Sequence, residues 1–311
     1  MSRDPFPTEP QPIRDSEERN SANGYGTNSV KTDRAAVREI AHRGSEIRPA
    51  APRDNNRTPQ AENSPRARHR RERTYFLRDS ELTTLMEIGT FRVVAAEDFS
   101  QFSYAGDSDR MNRETRRLAH QGLAEEKTFY DERARTKRLL VLTKKGKRLV
   151  LKSGRLPEGQ AIYHGFVKPR EAKHDAALYR LYQREAERIL QAGGKPLRVV
   201  LDYELMRRLH RDLAQLGETG RTREVREQVA EKHGLTVVGG KVQIPDLRLE
   251  YETADLARKH VDLELATRNY RPRALAQKVK AGFSLYAPRE DVSKLRRVLD
   301  QAELTARILS L

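Results

Sequence analysis

Eight of the 14 prolines in this chain lie before residue 74, at positions 5, 7, 10, 12, 49, 52, 59 and 65. Ser, Asn, Gly and charged residues fill the spaces between them. A stretch of this composition cannot bury enough apolar surface to offset the entropy of ordering it, so residues 1–73 are expected to be a disordered arm. One short helix over Asp33–His42 is compatible with the local pattern. The arm closes on Arg66, Arg68, His69, Arg70, Arg71 and Arg73. That basic cluster reads equally as a phosphate-binding arm and as a solubilising linker. Folding is left to residues 74–311, enough for two ordinary domains.

Lys and Arg number 61 against 45 Asp and Glu, a formal net charge of +16. Nucleic acid is the first partner such an excess indicates. The excess is spread along the whole chain, so local clustering has to carry the argument. No apolar run approaches the ~18 residues of a membrane span, and no apolar leader opens the chain. No membrane association is expected. Cysteine is absent, which excludes disulfides, thiol catalysis and cysteine zinc sites and fits a reducing, cytoplasmic location.

Residues 74–155 give three helical patterns, a hairpin and a closing helix. Asp79 or Ser80 caps a first helix that carries Leu82, Leu85, Met86 and Ile88. A second, Ala95–Phe102, turns Phe99 and Phe102 inward. Asp107 or Ser108 caps a third, over roughly 108–121, with Met111, Thr115 and Leu118 on its buried face. Gly122 ends it. Arg110, Arg113, Arg116 and Arg117 fall at i, i+3, i+6 and i+7 of that helix, on the opposite side. A helix entering a major groove needs such a row, because Arg reaches both phosphates and the guanine edge. A hairpin follows, with Arg133, Arg135 and Lys137 at its tip, placed to grip flanking phosphates. Lys144–Arg148 opens the closing helix.

The run GLAEEKTFYDERARTKRLLVLTKKGKRLV, with Gly-Leu after the arginine helix and Leu-Thr-x-x-Gly after the hairpin, resembles winged helix-turn-helix domains. That likeness implies binding of double-stranded DNA. The competing reading is a small helix-and-hairpin domain for protein contacts.

Leu156–Arg170 reads as a linker and residues 171–311 as an α/β unit. A long helix over Glu171–Gln191 stops at Gly193-Gly194. A strand, Pro196–Tyr203, comes next, and then charged helices over 204–234, broken near Gly217–Gly220. Gly239-Gly240 marks a hairpin. Ile244–Tyr251 and His260–Ala266 are alternating strands. One carries Asp246, Arg248 and Glu250 on a single face, the other Asp262, Glu264 and Ala266. Pairing them would bring Asp246 and Glu264 together. Mg²⁺ accepts one or two carboxylates with water completing its shell, and such a cation can activate water against a phosphodiester. A solvated sheet face would show the same alternation. The pattern further predicts a helix over Pro272–Tyr286, with Lys278 beside its apolar face. An amphipathic helix over Arg289–Leu311 would close the chain.

Pro245-Asp246 and Glu264 resemble the PD-(D/E)xK nuclease-like fold. The implied architecture is α+β: a disordered arm, a winged helix-turn-helix domain, then a restriction-endonuclease-like core. The Lys of E-x-K would stand at position 266, where this chain has Ala. Some members of that superfamily supply it from the following helix, which makes Lys278 the catalytic candidate beside Asp246 and Glu264. Glu185 or Glu187 is a further candidate for the metal shell, and His174 for a general base. In the order winged helix, His174-Asp175-Ala, Pro245-Asp246, Asp262-Leu-Glu264, Lys278 and Tyr286, residues 75–287 resemble the replication-relaxation family of mobile-element proteins. That resemblance implies a DNA-binding protein of a plasmid, phage or integrative element, acting in replication or DNA relaxation and transfer; with Ala at 266 its nuclease-like domain reads as degenerate, non-catalytic DNA binding coming ahead of cleavage, and Mg²⁺ is the cofactor if it cleaves. Partners would be DNA and a second copy or other replication proteins. Two alternatives stay open: a transcriptional regulator with a non-catalytic assembly domain, and an active Mg²⁺-dependent endonuclease.

Overall fold

The computed structural model describes residues 11–14, 74–130 and 136–311. The helix expected over Asp33–His42, the basic cluster at 66–73 and the hairpin-tip residues Arg133 and Arg135 lie outside them. Strand β1 (Gln11–Arg14) pairs antiparallel with β2 (Thr74–Leu77). It is a strand inside the segment whose composition predicts none, because a backbone ladder needs a neighbouring edge and not a core of its own.

After β2 come α1 (Asp79–Thr90), β3 (Val94–Ala95), α2 (Ala96–Ser103), α3 (Ser108–His120), β4 (Ala124–Tyr130), β5 (Thr136–Leu142) and α4 (Lys144–Lys152). The helices form where the periodicity places them. Leu82, Leu85, Ile88, Phe99, Met111 and Leu118 are all buried. The Arg110 N–H donates to Asp107 Oδ1 at 2.8 Å, capping α3, and Gly122 leaves that helix at φ +71°. Strands β3, β5 and β4 form one antiparallel sheet in that order. Thr143 caps α4 by accepting from the Gly146 N–H at 3.0 Å. Gly146 has to be glycine, since a Cβ there would lie 2.1 Å from the Leu123 carbonyl oxygen.

The rest of the chain contributes α5 (Pro169–Gln191), β6 (Lys195–Leu201), α6 (Asp202–Gln215), α7 (Arg223–Lys232), β7 (Val237–Val238), β8 (Lys241–Val242), β9 (Leu247–Glu252), β10 (Arg258–Leu265), α8 (Pro272–Lys280), β11 (Ser284–Ala287), α9 (Arg289–Gln301) and β12 (Ile308–Ser310). A five-stranded sheet runs β12-β11-β10-β9-β6. Its β6, β9 and β10 are antiparallel, while β10, β11 and β12 are parallel. The molecule is thus mixed α+β. No helix among the described residues is long and apolar enough to cross a membrane.

Two expected helices are shorter than the pattern predicts. The one expected over Pro272–Tyr286 ends at Lys280, where Gly282 takes φ +84° and the chain turns into β11. The terminal one ends at Gln301, with the Leu304 N–H bonded to the Leu299 carbonyl and Glu303 at φ +54°. Ile308–Ser310 then joins the sheet edge as β12. In both cases a short apolar run fits either period, and an open parallel edge decided for strand.

The segment 156–168 has no regular structure, yet it is held along its length. The Tyr163 N–H donates to the Gly89 carbonyl at 2.7 Å, and Gln160 bonds both backbone groups of Val199 on β6 at 3.0 Å. Helix α5 ties the two halves further. Tyr179, fully buried, packs its ring against Phe91, Phe99 and Phe102 at centroid distances of 5.2, 5.9 and 6.2 Å. Arg180 makes a bidentate pair with Asp98, both bonds 2.9 Å.

Candidate functional site

The polar face of β9 and β10 is covered. Register places Arg248 opposite Asp262, and the two form a bidentate pair at 2.6 and 2.8 Å. Arg248 also donates to the carbonyls of His233 and Gly234, so the loop after α7 lies over this face. At Arg248, Asp262 and Glu264 the alternation seen in the sequence therefore marks buried polar groups, while Glu250 and His260 farther along the same face stay open to solvent.

One step along the same face, Asp246 and Glu264 meet. The Asp246 N–H donates to Glu264 Oε2 at 3.3 Å, and Asp246 Oδ2 accepts from the Leu265 N–H at 2.8 Å. Lys278 reaches in from the last turn of α8. Its ammonium donates to Glu264 at 3.1 Å and to the Ile244 carbonyl at 2.6 Å. Thus Asp246, Glu264 and Lys278 come together from three elements. Ala266, at the E-x-K lysine position, is fully buried.

His174, on α5, places Nε2 3.3 Å from Asp246 Oδ1. The Tyr270 hydroxyl donates to Glu264 Oε1. The Asp202 N–H, at the start of α6, donates to the Asp246 carbonyl at 3.1 Å. Asp175 pairs with Arg92 at 3.3 Å. Glu185 and Glu187 do not join. Tyr286 and Arg188 hold the Glu185 carboxylate at 2.5 and 3.0 Å, and Glu187 faces Arg184.

Burial and charge oppose each other here. Burial disfavours the His174 imidazolium, but the hydrogen bond and charge of Asp246, with Asp175 and Glu264, outweigh it and lift its pKa to about 9. Burial and then the Asp246 charge raise Glu264, against the pull of Lys278 and Tyr270. Burial lifts Asp175 to about 6 despite Arg92. Asp202 is raised by burial, with the Asp246 charge adding to it. Several perturbed groups thus converge on one cluster, an arrangement that functional sites and structural ion-pair networks share.

Mg²⁺ needs only one or two carboxylates, so two on adjacent strands suffice as a donor set. Among the described residues no group of three Asp, Glu or His side chains is in position to hold a metal ion. Each carboxylate oxygen already has a protein partner. A cation would have to use the lone pairs left on Asp246 and Glu264.

The arginine row divides in two. Arg117 pairs with the fully buried Glu81 at 3.1 Å. Arg110 pairs with the buried Glu114 at 3.7 Å and lies over the Tyr104 ring at 5.8 Å. Arg113 and Arg116 are exposed and make no ion pair among the described residues. Lys137 is tied to Glu97 at 2.5 Å. Sequence patterning passed over Tyr270, Asp202 and Arg92. Two of these lie in loops, where no periodicity marks a side chain's direction, and Asp202 resembles any acidic residue in a helix first turn.

No family model matches this sequence, and no curated protein or solved structure matches it.

Proposed function

We propose that this chain is a DNA-binding protein of a mobile element. Residues 74–155 act as a winged helix that docks on duplex DNA, and the C-terminal half acts as a PD-(D/E)xK nuclease-like unit addressing the phosphodiester backbone. The convergence of Asp246, Glu264 and Lys278 carries this reading. The order helix, three antiparallel strands, helix, parallel strand supports it once the insertion of α6, α7, β7 and β8 after the first strand is set aside, as do the exposed Arg113 and Arg116 on α3 beside the β4–β5 hairpin.

In this reading Asp246 and Glu264 would hold one Mg²⁺, which when bound supplies an activated water. Lys278 stands where a cation can stabilise charge developing on the phosphate. His174 orients Asp246 and adds positive charge at the mouth of the site, since it is the more exposed of the pair. The placement of Ala266 fits a lysine that has moved to α8, because Lys278 reaches the same carboxylate.

A second reading has its own observation. Lys278, His174, Tyr270 and two backbone N–H groups already satisfy both carboxylates, as in a nuclease-like fold kept only for DNA binding or assembly. Supercoiled plasmid and linear duplex incubated with Mg²⁺, Mn²⁺ or EDTA separate the two. Metal-dependent nicking that Asp246→Ala and Glu264→Ala abolish would establish the catalytic reading. Intact binding without cleavage in wild type would favour the non-catalytic reading.

A further inference from the structure

Between Glu264 and Glu290 the chain carries no acidic residue, yet it carries Arg268, Arg271, Arg273, Lys278, Lys280 and Arg289. Lys278 is taken up by the acidic cluster. Three of the arginines crowd into the connection 267–273 between β10 and α8, which reads Thr-Arg-Asn-Tyr-Arg-Pro-Arg.

This connection is fastened to its surroundings. The Tyr270 hydroxyl donates to Glu264 Oε1, and the Tyr270 N–H donates to the Thr267 carbonyl at 2.9 Å. The Arg268 N–H donates to Asp291 Oδ2, in the first turn of α9, at 3.0 Å. Pro272 opens α8 and fixes the backbone there, with Arg271 extended before it at φ −70° and ψ 134°. Lys278, in the last turn of α8, bonds the same Glu264 carboxylate at 3.1 Å. Both ends of α8 are therefore tied to Glu264. Arg271 and Arg273, on either side of the proline, are exposed, and neither forms an ion pair among the described residues.

Arg271 and Arg273 stand one and three residues beyond the tyrosine that touches Glu264. At ~3.8 Å between successive Cα atoms, neither Cα lies more than ~11 Å from that of Tyr270. Two uncompensated guanidiniums thus sit on a fixed backbone beside the Asp246–Glu264–Lys278 cluster. Guanidinium matches a phosphate bidentately, and a backbone already held in place loses little further entropy on binding. Charges on a nucleic-acid strand recur every ~3.4 Å of axis, so ~11 Å spans about three nucleotides.

We infer that the 267–273 connection is a phosphate clamp, in which Arg271 and Arg273 hold the DNA backbone within about three nucleotides of the phosphodiester that faces Asp246 and Glu264. This rests on the DNA-binding reading above and names the contact that seats DNA at that site. The occupant is the sugar-phosphate backbone of duplex DNA, because unneutralised cations grip phosphates without reading sequence.

The test is binding of a fluorescein-labelled random-sequence duplex of about two and a half helical turns, ~25 base pairs, titrated with salt. Arg271→Gln/Arg273→Gln should bind about tenfold more weakly, with a salt slope shallower by about 1.8, two lost phosphate contacts at ~0.9 each. It should melt as wild type does, since neither side chain is paired. Arg271→Lys/Arg273→Lys should recover the slope, because the charge is kept. A lysine variant as shallow as the glutamine one overturns the clamp, since charge would then not be what was lost. The chain has no cysteine, so Asn269→Cys, at an exposed position, takes a single environment-sensitive fluorophore. Its emission should change as unlabelled duplex saturates the protein. Unchanged emission at saturation, or wild-type affinity and slope in the glutamine variant while Arg113→Ala/Arg116→Ala still weakens binding, overturns the clamp and leaves the DNA reading standing. No binding of the duplex by wild type overturns both.

Discussion

Individual side chains in the acidic cluster are held by opposing terms, and those terms make pH-dependent behaviour predictable. Asp175 is 5% exposed and lifted to about 6 by burial. A carboxyl raised above its unfolded value gives stability that is complete below the unfolded pKa and lost as pH rises through the folded one. The Asp175 contribution to stability should therefore fall between pH 4 and 6 by on the order of 3 kcal/mol, about two pKa units at ~1.4 kcal/mol each. Asp175→Asn should flatten the urea-unfolding profile across that window; an identical slope would show that Asp175 ionises as freely as in the unfolded chain. Lys278 is the only cation paired with the nearly inaccessible Glu264 among the described residues. Lys278→Met leaves that carboxylate buried without a counter-charge, which costs about 3 kcal/mol or more. The loss should be largest at pH 8 and should shrink toward pH 5 as Glu264 takes a proton. A loss independent of pH would mean that Lys278 acts by packing alone, for instance on the Phe283 ring 5.2 Å away.

At the scale of elements, α3 places one residue type in two environments. Helical spacing puts four arginines on one side, but only neighbouring elements decide which are spare. Glu81 on α1 takes Arg117 and Glu114 takes Arg110, which leaves Arg113 and Arg116 in solvent. Arg117→Ala should cost about 1–3 kcal/mol in urea denaturation, because Glu81 is fully buried and would lose its cation. Arg113→Ala/Arg116→Ala should leave stability within about 0.5 kcal/mol and lower the salt dependence of duplex binding by about 1.8 in slope. The reverse pattern, a stable Arg117 variant and an unstable double variant, would contradict this division. The helix ends follow the same logic. Asp107, Thr143 and Gly122 terminate elements where local chemistry requires it. The ends at Lys280 and Gln301 were set instead by strands β11 and β12 seeking the sheet.

For the whole molecule, the notable feature is how the halves are joined. The described residues, 11–14, 74–130 and 136–311, form one compact unit. The join is made by α5 and the 156–168 segment, and its centre is Tyr179. That ring lies within 6.2 Å of three phenylalanines from the first half, and its hydroxyl bonds Ser103 at 2.6 Å. A composition-based boundary at 156–170 suggests separable domains, whereas this packing couples them. Tyr179→Ala should cost about 4 kcal/mol and split a single thermal transition into two. One unchanged transition would show that the halves cohere without the aromatic cluster.

What the sequence by itself determined is everything that depends on neighbours along the chain. Period and capping placed α1, α2 and α3, the β4–β5 hairpin, the long helix α5 and the two alternating strands, because each of those signals is local. Alternation also put Asp246 and Glu264 each on the polar face of its segment, where pairing of the two could bring them together. Only the tertiary structure decided the rest. It laid the loop after α7 over Arg248 and Asp262, turned 284–287 and 308–310 into strands, brought His174 and Asp202 to Asp246 from far along the chain, and seated Tyr270, six residues on, against Glu264. It also separated spare arginines from structural ones. The physical reason is the same throughout: burial, charge pairing and open strand edges are properties of what lies across space, and short-range patterns carry no record of it.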